Sequence, residues 1–256
     1  SDLMIMMLWA DIEEKYAELL AHISDPILQE QVKDYIIDTT FRKDIFVRGA
    51  RRMNAREMLD RITSTRLAIL GSAESFDSKI EAYGRSIKLD KNNHHASLLK
   101  QLEKGPCTIK SLHQHKILGE LPISGLFNLI CCCISQGHIA PLREAEEVTG
   151  IESAKRFNKA IIRRTRTGED FDWLAAPEIG YGIHCPRAHR IFYDAIKQGR
   201  DPVDEMVTTC KLLGQGLVKD GESVTDIDEA ITELKGAADR FRKRRYKYLD
   251  RAGIAA

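Results

Sequence analysis

The chain has 256 residues, a formal net charge of +1, and 43% hydrophobic against 30% charged side chains. This excludes a largely disordered chain, which lacks the apolar residues to fold. It also excludes an overall field that would draw the protein onto nucleic acid or anionic lipid. The six cysteines (Cys107, Cys131, Cys132, Cys133, Cys185 and Cys210) show no regular spacing, so they read as reduced thiols of a cytoplasmic protein rather than a disulfide framework.

The apolar opening, Leu3 to Leu8, is too short for a membrane span and lacks the basic flank of a signal peptide. The chain starts without an initiator methionine, as a piece of a longer protein would. Apolar positions at spacings of three and four predict a helix over 3–22. Asp25-Pro26 then starts a second helix to about Thr39. Phe41 to Arg48 alternates and reads as a strand or the helix's tail, ended by Gly49. Asn54 with Glu57 forms a capping-box signal for a helix over 55–62. Short strands are expected at Arg66–Leu70 and Gly84–Leu89, with the polar stretch Gly71–Tyr83 as loop.

Residues 94–142 predict three helices. The first carries Leu98, Leu99 and Leu102, the second is capped by Thr108, and the third runs from about Ser124 to Gly137. An extended piece, 138–142, follows. Three short helices and then a strand are what a winged helix-turn-helix requires. An acidic loop at 143–150 makes a natural boundary, and a basic helix covers about 152–167. Trp173–Cys185 is extended, and helices are expected over Ala188–Gln198 and from Pro202 to about Leu213. Gly214, Gly216 and Gly221 mark a turn. Thr225 with Asp228 caps a last helix reaching about Arg251. The fold class expected is therefore α+β, predominantly helical, with short strands and a winged-helix-like subdomain. Its segments are 1–92, 93–145 and 146–256.

No catalytic, cofactor-binding or metal-binding residue is assigned from spacing. Gly180-x-Gly182 and Gly214-x-Gly216 lack the strand, third glycine and helix of a nucleotide cradle, so they read as turns. The histidines offering ligands are His94-His95, His113-x-His115, His138, His184 and His189, but no pair of pairs has zinc spacing. Cys131, Cys132 and Cys133 occupy consecutive positions of an apolar helix, so they point in three directions and read as core. His184-Cys185 sets a thiol beside an imidazole, which keeps a cysteine hydrolase as a third class. Two basic runs, Lys155 to Arg166 and Arg240 to Arg251, could neutralise phosphates or form solvated faces.

The segment from Asp25 to Phe46 resembles the signature of the bacterial methyltransferase regulatory domain, in which an E-Q-x-x-D helix leads into a phenylalanine–arginine step and an apolar strand. Glu30, Gln31 and Asp34 match the helix, and Phe41-Arg42 match the step. The order of later elements, and the stretch Ala154 to Gly199, are similar to that family as well. The resemblance implies a region that accompanies an S-adenosylmethionine-binding catalytic domain in protein-lysine-methyltransferase-like proteins. It implies no cofactor in this chain. The function expected is non-catalytic: regulation or substrate recognition through protein binding. The partners expected are the catalytic domain, a protein substrate and a second copy of the chain. The alternative is a winged-helix nucleic-acid-binding regulator. Against it, the 124–136 helix offers only Asn128 and Gln136 to base edges.

Overall fold

The computed structural model describes residues 14–36, 48–49, 51–82, 85–88, 93–168, 171–214, 216–219, 222–224, 227–251 and 254. The expected extended piece at Phe41–Val47 and the Thr225 cap lie outside the described residues.

The N-terminal region holds helices α1 (Glu14–Ala21) and α2 (Pro26–Ile36). Asp25 caps α2, its Oδ1 accepting from the Ile27 and Leu28 amides at 2.8 and 3.5 Å. Gln29 Nε2 ties α2 back to α1 by donating to the Leu20 carbonyl at 2.9 Å. Helix α3 (Ala55–Ser64) forms with the capping box its sequence announces, Asn54 and Glu57 satisfying each other's backbone N–H.

Two apolar cores follow. The first is built by β1 (Arg66–Ile69), α4 (His94–Lys104), β4 (Cys107–Thr108), α5 (Ile109–His113), α6 (Ile123–Ser135) and β5 (Ile139–Pro141). Thr108 caps α5 through the Ser111 amide at 3.1 Å. Leu98, Leu118 and Leu126 are fully buried at its centre. The sheet order is β4-β1-β5, antiparallel throughout, with Leu67 opposite Cys107 on one side and Pro141 on the other. The three helices and the following strand stand where the sequence puts them. The middle strand, however, comes from upstream of the helices, not from a hairpin after β5. The segment after β5 turns through a 3₁₀ stretch at Ala145–Glu147 into α7, so a wing is not what fills the sheet.

The second core packs α7 (Ile151–Arg164), the hairpin β6 (Trp173–Ala176)–β7 (Tyr181–His184), α8 (Arg187–Lys197), α9 (Pro202–Leu213) and α10 (Ile227–Phe241). Asn158 and Arg190 are buried within it. The chain then passes through one π-helical turn, Arg242–Tyr246, into α11 (Lys247–Arg251). Adjacent side chains of α11 serve different cores: Tyr248 packs into the first and Leu249 into the second.

Three expectations need correction. Gly71–Tyr83 is not all loop: β2 (Lys79–Ala82) pairs with β3 (Arg85–Lys88) as a hairpin. Gly214 and Gly216 precede a further hairpin, β8 (Leu217–Lys219) with β9 (Glu222–Val224), rather than a bare turn, and Gly221 lies outside the described residues. The last helix is not continuous, because the π turn interrupts it. The strand expected at Gly84–Leu89 is β3, whereas charged and polar residues mask the short alternation of β2 and β9.

Candidate functional site

The two cores meet at a cavity of about 380 Å³. Gly71, Ser75, Phe76 and Gly137 line it from the side of the first core, Leu70, which packs against the second, stands at its edge, and His189, Ala237, Arg240, Phe241, Arg244 and Arg245 line it from the second. The π turn supplies two of the arginines, and such turns recur at functional sites. Its backbone comes close because position 71 is glycine: the Ser72 amide donates to the Arg244 carbonyl at 2.8 Å. A Cβ on Gly71 would stand 2.8 Å from the Phe76 ring and 3.3 Å from that carbonyl.

Among the described residues, three guanidinium groups and no carboxylate line the cavity. Arg245 donates from Nη2 to the His184 carbonyl at 2.6 Å, while its Nε is buried with no hydrogen-bond partner. Burial pulls its pKa down. The His189 ring lies 4.9 Å from that of Phe241, and its Nδ1 is likewise buried and unpartnered. Burial first, then the charge of Arg245, lowers the His189 pKa to about 4, so the ring is neutral at pH 7. This basic, partly unsatisfied lining suits an anionic group such as a carboxylate. Among the described lining residues, the groups with nucleophilic atoms are the Ser75 hydroxyl and the His189 imidazole.

A pH dependence follows. A histidine near 6.5 when unfolded and near 4 when folded binds its proton preferentially in the unfolded chain. Its contribution is complete above pH 6.5 and is lost as pH falls toward 4, at up to about 1.4 kcal/mol per pH unit. Chemical denaturation across pH 4–7 should show stability falling toward low pH, with a slope that His189→Phe reduces but does not abolish, because His138 is shifted in the same way.

Beside the cavity, sharing Phe76 and the α6 terminus, lies a buried polar cluster: His95, Cys133 and His138. Gly137, at φ +69°, ends α6 in a Schellman motif, with the Gly137 amide on Ile134 O at 2.9 Å and the His138 amide on Cys133 O at 2.8 Å. That motif brings positions 133 and 138 into contact. His95 enters from the first turn of α4, its Nε2 3.3 Å from His138 Nδ1. Phe76 lies over His138 with ring centroids 4.3 Å apart. Burial, with His95 adding to it, lowers the His138 pKa to about 4. Sequence spacing missed this cluster because its members come from separate elements; the legible signal was a Cys and a His flanking the helix-ending glycine.

Other candidates disperse. His94 faces Glu120 at 3.9 Å, and His113 Nε2 meets the Leu121 carbonyl at 3.0 Å. Cys131 and Cys132 are buried on α6 away from the cluster. Cys185 is fully buried and its thiol is pushed up to about 11 by burial, while the His184 ring lies exposed against Trp173. That is the opposite of an activated thiolate. Gly180 turns the β6–β7 hairpin, Gly182 lies in β7, and Gly214 closes α9. All strand pairs among the described residues are antiparallel. A strand–glycine loop–helix cradle, as S-adenosylmethionine sites use, is not present among the described residues. Part of each basic run is engaged: Arg166 bridges Asp194 and Glu205, Lys155 meets Glu152, and Lys247 and Arg251 lie over the Tyr248 ring, whereas Arg240, Arg244 and Arg245 line the cavity.

The signature helix also has a place. Glu30 pairs with Lys33 on α2, which buries no residue, whereas Phe41-Arg42 lies outside the described residues. Residues 1–48 match the model of the predicted methyltransferase regulatory domain. An uncharacterized protein of Synechocystis sp. is 24% identical over 237 residues, covering 92% of this chain and 47% of that protein. The chain thus spans about half the length of this curated relative. No solved structure matches. No helix among the described residues is long and apolar enough to cross a membrane.

Proposed function

We propose that this chain is the non-catalytic, substrate-recognising part of an S-adenosylmethionine-dependent methyltransferase, acting by protein binding in the cytoplasm. The match of residues 1–48 to a methyltransferase regulatory domain carries the reading. The helices around that match support docking on a partner. On α2, Ile27 is 79% and Tyr35 77% exposed, and neither α2 nor α3 buries a residue. Exposed apolar side chains on such a helix, counted among the described residues, fit a surface for another protein. The partner is the catalytic domain, which in this reading corresponds to the portion of the Synechocystis relative outside the matched half. The arginine-lined cavity then selects an acidic group of the protein substrate.

The test is a binding titration of the chain against that separately expressed portion. Saturable binding is expected, weakened at least about tenfold in the Ile27→Glu, Tyr35→Glu double variant, since interface aromatics carry much of such energies. Both positions are exposed, so thermal stability should stay within about 0.5 kcal/mol of the parent. Absence of binding, or binding indifferent to the substitutions, contradicts the proposal.

A further inference from the structure

We infer that His95, Cys133 and His138 form a zinc-class metal site. The ligand atoms of the three side chains all lie within 4.8 Å of one another, and the residues are 3%, 0% and 7% exposed. Zinc bonds of 2.0–2.1 Å to two imidazoles at the tetrahedral angle set the nitrogens about 3.3–3.4 Å apart. The observed His95 Nε2 to His138 Nδ1 separation is 3.3 Å. The thiol completes one face of such a tetrahedron. Two nitrogens and one sulfur are the donor set of a borderline-soft divalent ion, not of calcium or magnesium.

The scaffold holds these ligands in place before any metal arrives. Cys133 and His138 are fixed to each other by the Schellman end of α6, and His95 by the first turn of α4. No fourth His, Cys, Asp or Glu joins them within that distance among the described residues, which leaves one coordination position for water. Binding converts the Cys133 thiol to a thiolate: the S–H bond breaks, the sulfur pair bonds the ion, and the proton leaves to solvent. Because all three residues are buried, uptake accompanies folding or local opening. The ion would lock α4 to the end of α6 beside the arginine-lined cavity.

The experiment uses the whole chain, reduced and metal-stripped, titrated anaerobically with cobalt(II), both when native and during refolding from denaturant. The result expected is one equivalent bound, with a thiolate-to-cobalt charge-transfer band and the visible bands of a four-coordinate ion, both bleached by zinc. Cys133→Ser loses the charge-transfer band. His95→Gln and His138→Gln each weaken binding at least about tenfold. Cys131→Ser and Cys132→Ser behave as the parent, and circular dichroism checks that each variant folds. The inference is overturned if the parent shows no charge-transfer band under either protocol, leaving a simple imidazole–imidazole hydrogen bond. It is equally overturned if the band survives Cys133→Ser or is lost instead with Cys131 or Cys132.

Discussion

Replacing Arg190 with alanine will lower the unfolding free energy by about 3–5 kcal/mol, the range for disrupting a buried, hydrogen-bonded charge. Arg190 is 1% exposed. Its Nε donates to Thr165 Oγ1 at 3.0 Å, and its Nη1 donates to Asp172 Oδ1 at 3.0 Å and to the Cys185 carbonyl at 2.8 Å. One guanidinium therefore joins the end of α7, the approach to β6 and the exit of β7 to α8. Alanine leaves a large void and strands the buried Cys185 carbonyl, while the Thr165 hydroxyl loses one donor but still donates to the Ile161 carbonyl at 2.9 Å. Asp172 is half-exposed and can turn to water, which keeps the effect at this size. Lysine retains the charge but not the rigid fork, so Arg190→Lys should recover less than half of the loss. Urea unfolding monitored at Trp173 would show the shift as a lower midpoint with an unchanged slope. A loss below about 1 kcal/mol would contradict this assignment.

Asn158→Ala should cost about 2–4 kcal/mol. Asn158 is fully buried on α7 and behaves as a neighbouring strand would toward β6. Its Nδ2 donates to the Ala175 carbonyl at 2.9 Å, and its Oδ1 accepts from the Ala175 amide at 2.7 Å. Removing the amide strands both backbone groups, each worth about 1–3 kcal/mol when left unpaired and shielded from water. Hydrogen exchange provides the check, because the Ala175 amide should lose protection before its hairpin partners do. Asn158→Asp, which can still accept but not donate, should fall between parent and alanine.

These two side chains show what the sequence conveyed and what it did not. Helix ends written in local chemistry were legible: the Asn54–Glu57 box, the Thr108 cap and the Asp201-Pro202 start of α9, where Asp201 accepts from Val203 and Asp204 at 2.8 and 2.9 Å. Asn158 and Arg190 gave no such signal, because all of their partners except the Cys185 carbonyl lie 17 to 25 residues away. The same holds for the site. Arg240 to Arg245 was visible as a basic run, but its convergence with His189 on a cavity depends on the π turn and on Gly71. The central place of β1 was also illegible, since a four-residue apolar run does not declare which strands it separates. The resemblance carried by Glu30, Gln31 and Asp34 fell within the segment that the regulatory-domain model matches.

The central claim is that this chain recognises rather than reacts, and calorimetric titration with S-adenosylmethionine tests it most directly. The account predicts heats indistinguishable from dilution at ligand concentrations up to the millimolar range. A one-to-one site with a micromolar Kd would contradict it, because the chain would then hold the methyl donor itself.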